Sequence, residues 1–193
     1  MIYKLIEIFL SAVLLAPVFW LLDRVRFHDR KRTVLYFVFG LYLAAVYSFV
    51  GLPTLQFMRF ELNLEWVPFA PMLVDLRNTV LNVVLFVPLG ILLPFLWKKY
   101  RTWKASILFG FGMSLAIELL QILTYRATDI NDLIANTLGT AIGYGIYQFA
   151  AHLIPALKGI GKRKDEVTVV IAAVFLVMFF LQPYLATAFY AIT

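Results

Sequence analysis

Glu118 and Gln121 lie inside one apolar run, and Asp129, Asp132 and Asn136 open the next, across the polar turn Tyr125-Arg126-Ala127-Thr128. An ionisable group in hydrocarbon costs roughly a few kcal/mol or more, so three carboxylates at one membrane turn require a reason. General acid–base chemistry is one, with Glu118, Asp129 and Asp132 as the catalytic candidates. Asn82, Gln121, Arg126, Asn136 and Asn78 are the candidates for binding a substrate headgroup, Arg126 through a phosphate or carboxylate. Spacing puts these side chains on shared helical stripes. Ser114, Glu118, Gln121 and Tyr125 follow at intervals of 4, 3 and 4, Asp129, Asp132 and Asn136 at 3 and 4, and Asn78 precedes Asn82 by one turn.

Each role has a structural alternative. Glu118 can be a carboxylic acid kept neutral by burial and bonded to Asn82 or Gln121. Asp129 can cap the first turn of a helix, and Arg126 can neutralise Asp129 or Asp132. Carboxylates with Asn and Gln carbonyls also form a hard-oxygen set that suits Mg²⁺ or Ca²⁺. Hydrogen bonding accounts for the same residues, so no metal is assigned, and the sequence names no cofactor. The chain has no Cys, which excludes thiolate nucleophiles, disulfides and zinc–thiolate sites. Ser114 as a nucleophile lacks a base on its side of the membrane, because His28 and His152 fall at the cytoplasmic side.

The elements that position this cluster are membrane helices. Apolar residues make up 63% of the 193-residue chain and charged residues 15%, with a mean hydropathy of +0.87. A soluble domain of this size needs more polar surface, so an all-α polytopic bundle is expected. Six apolar runs satisfy the length of a bilayer crossing: 3–22, 34–52, 77–97, 105–124, 129–154 and 167–190. The first is read as a retained helix, since its start is not strongly basic and no small-residue cleavage site follows it. Gly139 and Gly143 form a GxxxG pattern that permits close approach of a second helix.

Most of the 17 Lys and Arg fall in three connections, near 24–32, 98–104 and 158–164, and the alternate connections are neutral or acidic. Cytoplasmic loops retain Lys and Arg, so this pattern predicts six transmembrane helices with both termini and the polar turn outside. It also accounts for the net charge of +6 without nucleic acid, the basic loops meeting anionic lipid instead. Three segments are expected: 1–59 with two helices, 60–155 as a core of three, and 156–193 with the last. Between Pro53 and Asp75, Phe60, Leu62, Leu64 and Trp66 alternate with Glu61, Asn63 and Glu65. A period of two suits an extended amphipathic segment on the bilayer or on other helices; an irregular interfacial loop is the alternative.

The chain resembles the VanZ-like family of bacterial membrane proteins. The resemblance rests on Trp66-Val67-Pro68-Phe69, Asn82 through Gly90, Ser114 through Gln121 and Arg126 through Gly139, and covers roughly residues 60–150. The Glu65-Trp66-Val67 stretch departs from the family's plainer Asn-Leu-Ile. The resemblance implies lowered susceptibility to glycopeptides such as teicoplanin, which act on cell-wall precursors at the outer surface of the plasma membrane. It leaves the chemistry open. The polar cluster can bind or modify a membrane lipid or lipid-linked precursor, or take the lipid tail of a lipoglycopeptide. It can bind without catalysis, or serve as a structural lock. A small lipid transporter fits less well, because the helices turn apolar below Ser114 and Asn136, Gln148 excepted. Oligomeric state is not encoded in these patterns.

Overall fold

The computed structural model describes residues 2–60, 64–65, 67–69, 72, 74–124, 128–159 and 166–192. Helices α1 (Ile2–Leu22), α2 (Arg30–Val50), α3 (Leu76–Leu96), α4 (Trp103–Gln121) and α5 (Ile130–Leu153) are followed by α6 (Glu166–Leu176), which passes through a π-turn (Val177–Leu181) into α7 (Gln182–Ile192). Two-residue strands β1 (Leu64–Glu65) and β2 (Thr128–Asp129) pair in parallel. The protein is an all-α polytopic bundle. Five helical stretches, Ile6–Phe27, Arg30–Val50, Leu76–Leu96, Trp103–Gln121 and Glu166–Ala191, are long and apolar enough to cross a membrane. Helix α5 is long enough, with 24 residues, but its Asn, Asp, Thr and Gly content makes it less apolar than the others.

Two compact units form, Met1–Met58 with Asp165–Thr193, and Arg59–Lys164. In the first, α2 packs against α1 and α6. Gly40 permits this, since a Cβ there would lie 2.9 Å from the Phe19 ring and 3.4 Å from Val174. Aromatic edges fill the seams: Phe19 meets Phe37 at 5.6 Å between ring centroids, and Phe27 meets Tyr36 at 5.0 Å. Asp29 caps α2 through the Arg32 N–H, and Gly51 ends it in the left-handed region at φ 67°. The α6–α7 junction carries Pro183, which cannot donate to the Phe179 carbonyl one turn earlier. The Leu55 N–H takes that carbonyl instead, at 3.1 Å, so the freed acceptor is satisfied by a neighbouring segment.

In the second unit α3 and α5 run parallel, and α4 runs against both. Their crossing is closer than side chains would allow. A Cβ on Gly139 would lie 2.2 Å from the Val83 carbonyl oxygen, one on Gly143 2.0 Å from that of Val87, and one on Gly90 2.1 Å from that of Thr140. Backbone therefore lies on backbone, as the GxxxG spacing predicts, with a third glycine on the partner helix that the pattern alone did not reveal. Gly110 brings α4 to the same level, where a Cβ would meet the Thr140 hydroxyl at 2.4 Å. At the far end, Arg101 donates from Nε to the Pro94 carbonyl at 3.2 Å and Tyr144 donates its hydroxyl to the Arg101 carbonyl at 2.9 Å.

The alternating segment before α3 is extended at Leu64–Glu65, where it pairs with Thr128–Asp129. Its hydrogen-bonding partner is thus the turn before α5. Glu61, Leu62, Asn63 and Trp66 lie outside the described residues.

Gly143→Ala should destabilise the protein by about 3 kcal/mol through overpacking against main chain. Gly145→Ala, whose added Cβ meets nothing within 4 Å, should be neutral. The thermal unfolding midpoint of detergent-purified protein checks both.

Candidate functional site

The site lies where α3 and α5 begin and α4 ends. Asp75 caps α3, its carboxylate accepting the Asn78 N–H at 3.0 Å, and Asn82 follows one turn in. From Asn82, Nδ2 donates to Oδ1 of half-buried Asp132 at 2.5 Å. Asn136, one turn further along α5, donates through Nδ2 to the Ser114 hydroxyl of α4 at 2.9 Å. Its Oδ1 is buried and has no hydrogen-bond partner among the described residues. Glu118 is only 3% exposed, and its Oε2 accepts the Asp129 N–H at 2.8 Å. The Thr128 hydroxyl donates to the Glu118 carbonyl at 3.1 Å. The acid on α4 therefore holds the strand that enters α5.

Asp129 is the N-cap of α5. Its Oδ1 accepts the Asn131 N–H at 2.8 Å and Asn131 Nδ2 at 2.7 Å, which accounts for its carboxylate by capping. Gln121 is buried at the last turn of α4. Asn82, Asp132, Ser114, Asn136, Glu118 and Asp129 are thus brought together, with Gln121 near Glu118 on the same helix. Asn78 is not joined to them: its side chain is exposed on the first turn of α3. Tyr125 and Arg126 lie outside the described residues. Ser114 is fully buried and serves as the partner of Asn136. Among the described residues no group of three His, Asp or Glu side chains converges to hold a metal ion.

Asn131 is the residue the sequence reading left without a role. It is 4% exposed, and it reaches a loop far away in the chain. Its Nδ2 donates to the Val67 carbonyl at 2.9 Å, and its Oδ1 accepts the Phe69 N–H at 2.8 Å. Phe69 has φ 67°, a left-handed conformation that costs a bulky residue about 1–3 kcal/mol, and its side chain is 62% exposed. One buried amide thus fastens a strained turn that presents an exposed aromatic ring. The stripe Asp129–Asp132–Asn136 hides this residue, because Asn131 lies about 100–160° around the helix from its members. An Asn two residues after a capping Asp was the available signal.

Asn131→Ala should cost about 2–3 kcal/mol, because it strands the Phe69 N–H and Val67 carbonyl together. Hydrogen–deuterium exchange at Phe69 should accelerate, while the α3–α5 crossing stays protected.

The VanZ/LLP1 family pattern matches residues 8–154. Protein VanZ of Enterococcus faecium is 30% identical over 105 residues, which cover 54% of this chain and 62% of that protein. The chain therefore aligns with less than two thirds of the length of this relative. No solved structure matches it. The Pro-Phe turn, the Asn82 and Glu118 helices and the Asp129–Gly139 segment fall inside the matched span, and the chain belongs to the VanZ/LLP1 family.

Proposed function

We propose that this protein lowers bacterial susceptibility to teicoplanin-type (lipo)glycopeptides, acting in the plasma membrane through the polar end of α3, α4 and α5. The site engages a membrane lipid, a lipid-linked cell-wall precursor or the antibiotic's lipid tail. The observation that carries this reading is the convergence of Asn82, Glu118, Asp132 and Asn136 from three apolar helices, which is costly to maintain in a membrane. The distribution of Lys and Arg supports placing this end on the extracytoplasmic side, where cell-wall precursors are exposed.

Recognition fits the cluster better than acid–base catalysis. Glu118 Oε2 is committed to the Asp129 N–H, and Asp129 Oδ1 to Asn131. Asp132 with Asn82 and the unpartnered Oδ1 of Asn136 form the part suited to a headgroup bearing hydroxyl or amide donors. The exposed Phe69 ring supplies an apolar surface for a chain or tail. A second reading, the structural lock, is favoured by the same Glu118 and Asp129 hydrogen bonds, which fasten α4 to the start of α5.

The test is teicoplanin susceptibility of a sensitive Gram-positive host expressing wild type, Glu118→Gln or Asp132→Asn, read beside the amount of folded membrane protein. Glu118→Gln still accepts the Asp129 N–H and should keep most of the resistance. Asp132→Asn should return susceptibility to within about twofold of the empty vector with folded protein intact, since a charged hydrogen bond contributes about 1.5–3 kcal/mol. Parallel loss of resistance and of folded protein would establish the lock, and absence of resistance in wild type would refute the resistance reading.

A further inference from the structure

A second candidate site lies in the other unit, at the basic end of α1 and α2. A groove of about 500 Å³ opens there, within the range of a small-ligand pocket. Ala16, Phe19, Val34 and Phe37 form its apolar wall, and Arg24 and Arg30 also line it.

The charges around it are unevenly matched. Asp23, which also lines the groove, is committed through Oδ1 to the Thr33 hydroxyl at 2.6 Å and the Asp29 N–H at 3.1 Å. Asp29 pairs with Arg32 at 2.8 Å, and buried Glu166 pairs with Arg32 at 3.4 Å. Those bonds leave Arg24 and Arg30 without a carboxylate in ion-pair reach among the described residues. Arg24 instead lies over the ring of Trp20, 5.1 Å from its centroid, and Trp20 is 61% exposed. A Trp and two arginines at the end of a membrane helix mark the headgroup level of a bilayer.

We propose that this groove binds one anionic phospholipid. The arginines take its phosphodiester, whose negative charge no headgroup cation offsets, and an acyl chain lies along Phe19, Val34 and Phe37. Zwitterionic lipids carry the same phosphate, but their terminal cation meets the Arg24–Arg30 pair unfavourably. Free phosphates share the charge but leave the apolar wall uncovered, so the acyl chain is part of what the site recognises.

The full chain, purified in mild detergent, is titrated with phosphatidylglycerol, phosphatidylcholine and glycerol 1-phosphate, and bound species are counted by native mass spectrometry. Wild type should retain one phosphatidylglycerol per chain with roughly tenfold preference over phosphatidylcholine, and glycerol 1-phosphate should not compete. Arg24→Gln with Arg30→Gln should abolish the preference. Arg26→Gln with Lys31→Gln, which removes the same charge outside the groove, should preserve it. Ala16→Trp should expel the lipid by filling the groove without altering charge. Equal losses in the two double variants would reduce the effect to diffuse attraction, and competition by glycerol 1-phosphate would make it a soluble-phosphate site. Either result, or unchanged binding in Ala16→Trp, overturns the proposal.

Discussion

The second unit depends on main-chain contact between α3 and α5. Helix association in a membrane lacks the hydrophobic drive available in water and rests on close packing and hydrogen bonding. Gly90, Gly139 and Gly143 supply the close packing by letting main chain of one helix lie against main chain of the other. This contact fixes how far α3 is advanced along α5, and so sets Asn82 within reach of Asp132. Thr140 lies at the same level, touching both Gly90 and Gly110, so α4 inherits its position from the same point.

Upon that frame the polar residues form a graded arrangement. Those nearest the helix ends, Asp75, Asp129 and Glu118, spend acceptor atoms on backbone N–H groups. Those one turn deeper, Asn82, Asp132, Asn136 and Ser114, bond side chain to side chain. The outer layer does what the ends of helices require. The inner layer has no such requirement, which is why the ligand-recognition reading rests on it. Asn131 belongs to neither layer and extends the site sideways to the Pro68-Phe69 turn.

Much of this was legible in the sequence for physical reasons. Run length gave the helices, and the intervals 4, 3 and 4 gave the facing stripes that Asn136 and Ser114 realise. GxxxG gave one side of the crossing, while Gly90 on the other side stood alone in its helix and carried no pattern. Side-chain periodicity placed Asn82 and Asn78 together, yet the hydrogen bonds separate them, because periodicity reports a face and not the depth to which the neighbouring helix covers it. The link from Asn131 to Phe69 joins positions 62 residues apart, and no local rule encodes it. The pairing of Leu64–Glu65 with Thr128–Asp129 was hidden likewise: alternation revealed an extended chain but not its partner.

Helix α5 also bears on how the protein is assembled. The Asn, Asp and Thr residues that build the site make it the long helix that falls short of the hydropathy its neighbours reach. A lone segment carrying Asn131, Asp132 and Asn136 partitions poorly from the insertion machinery into lipid. Beside α3 and α4 those groups find Asn82, Ser114 and Val67, and the crossing glycines meet main chain instead of acyl chains. Entry of α5 into the bilayer is therefore coupled to helices made before it. The residues that give this protein its site tie its biogenesis to the order in which its helices are synthesised.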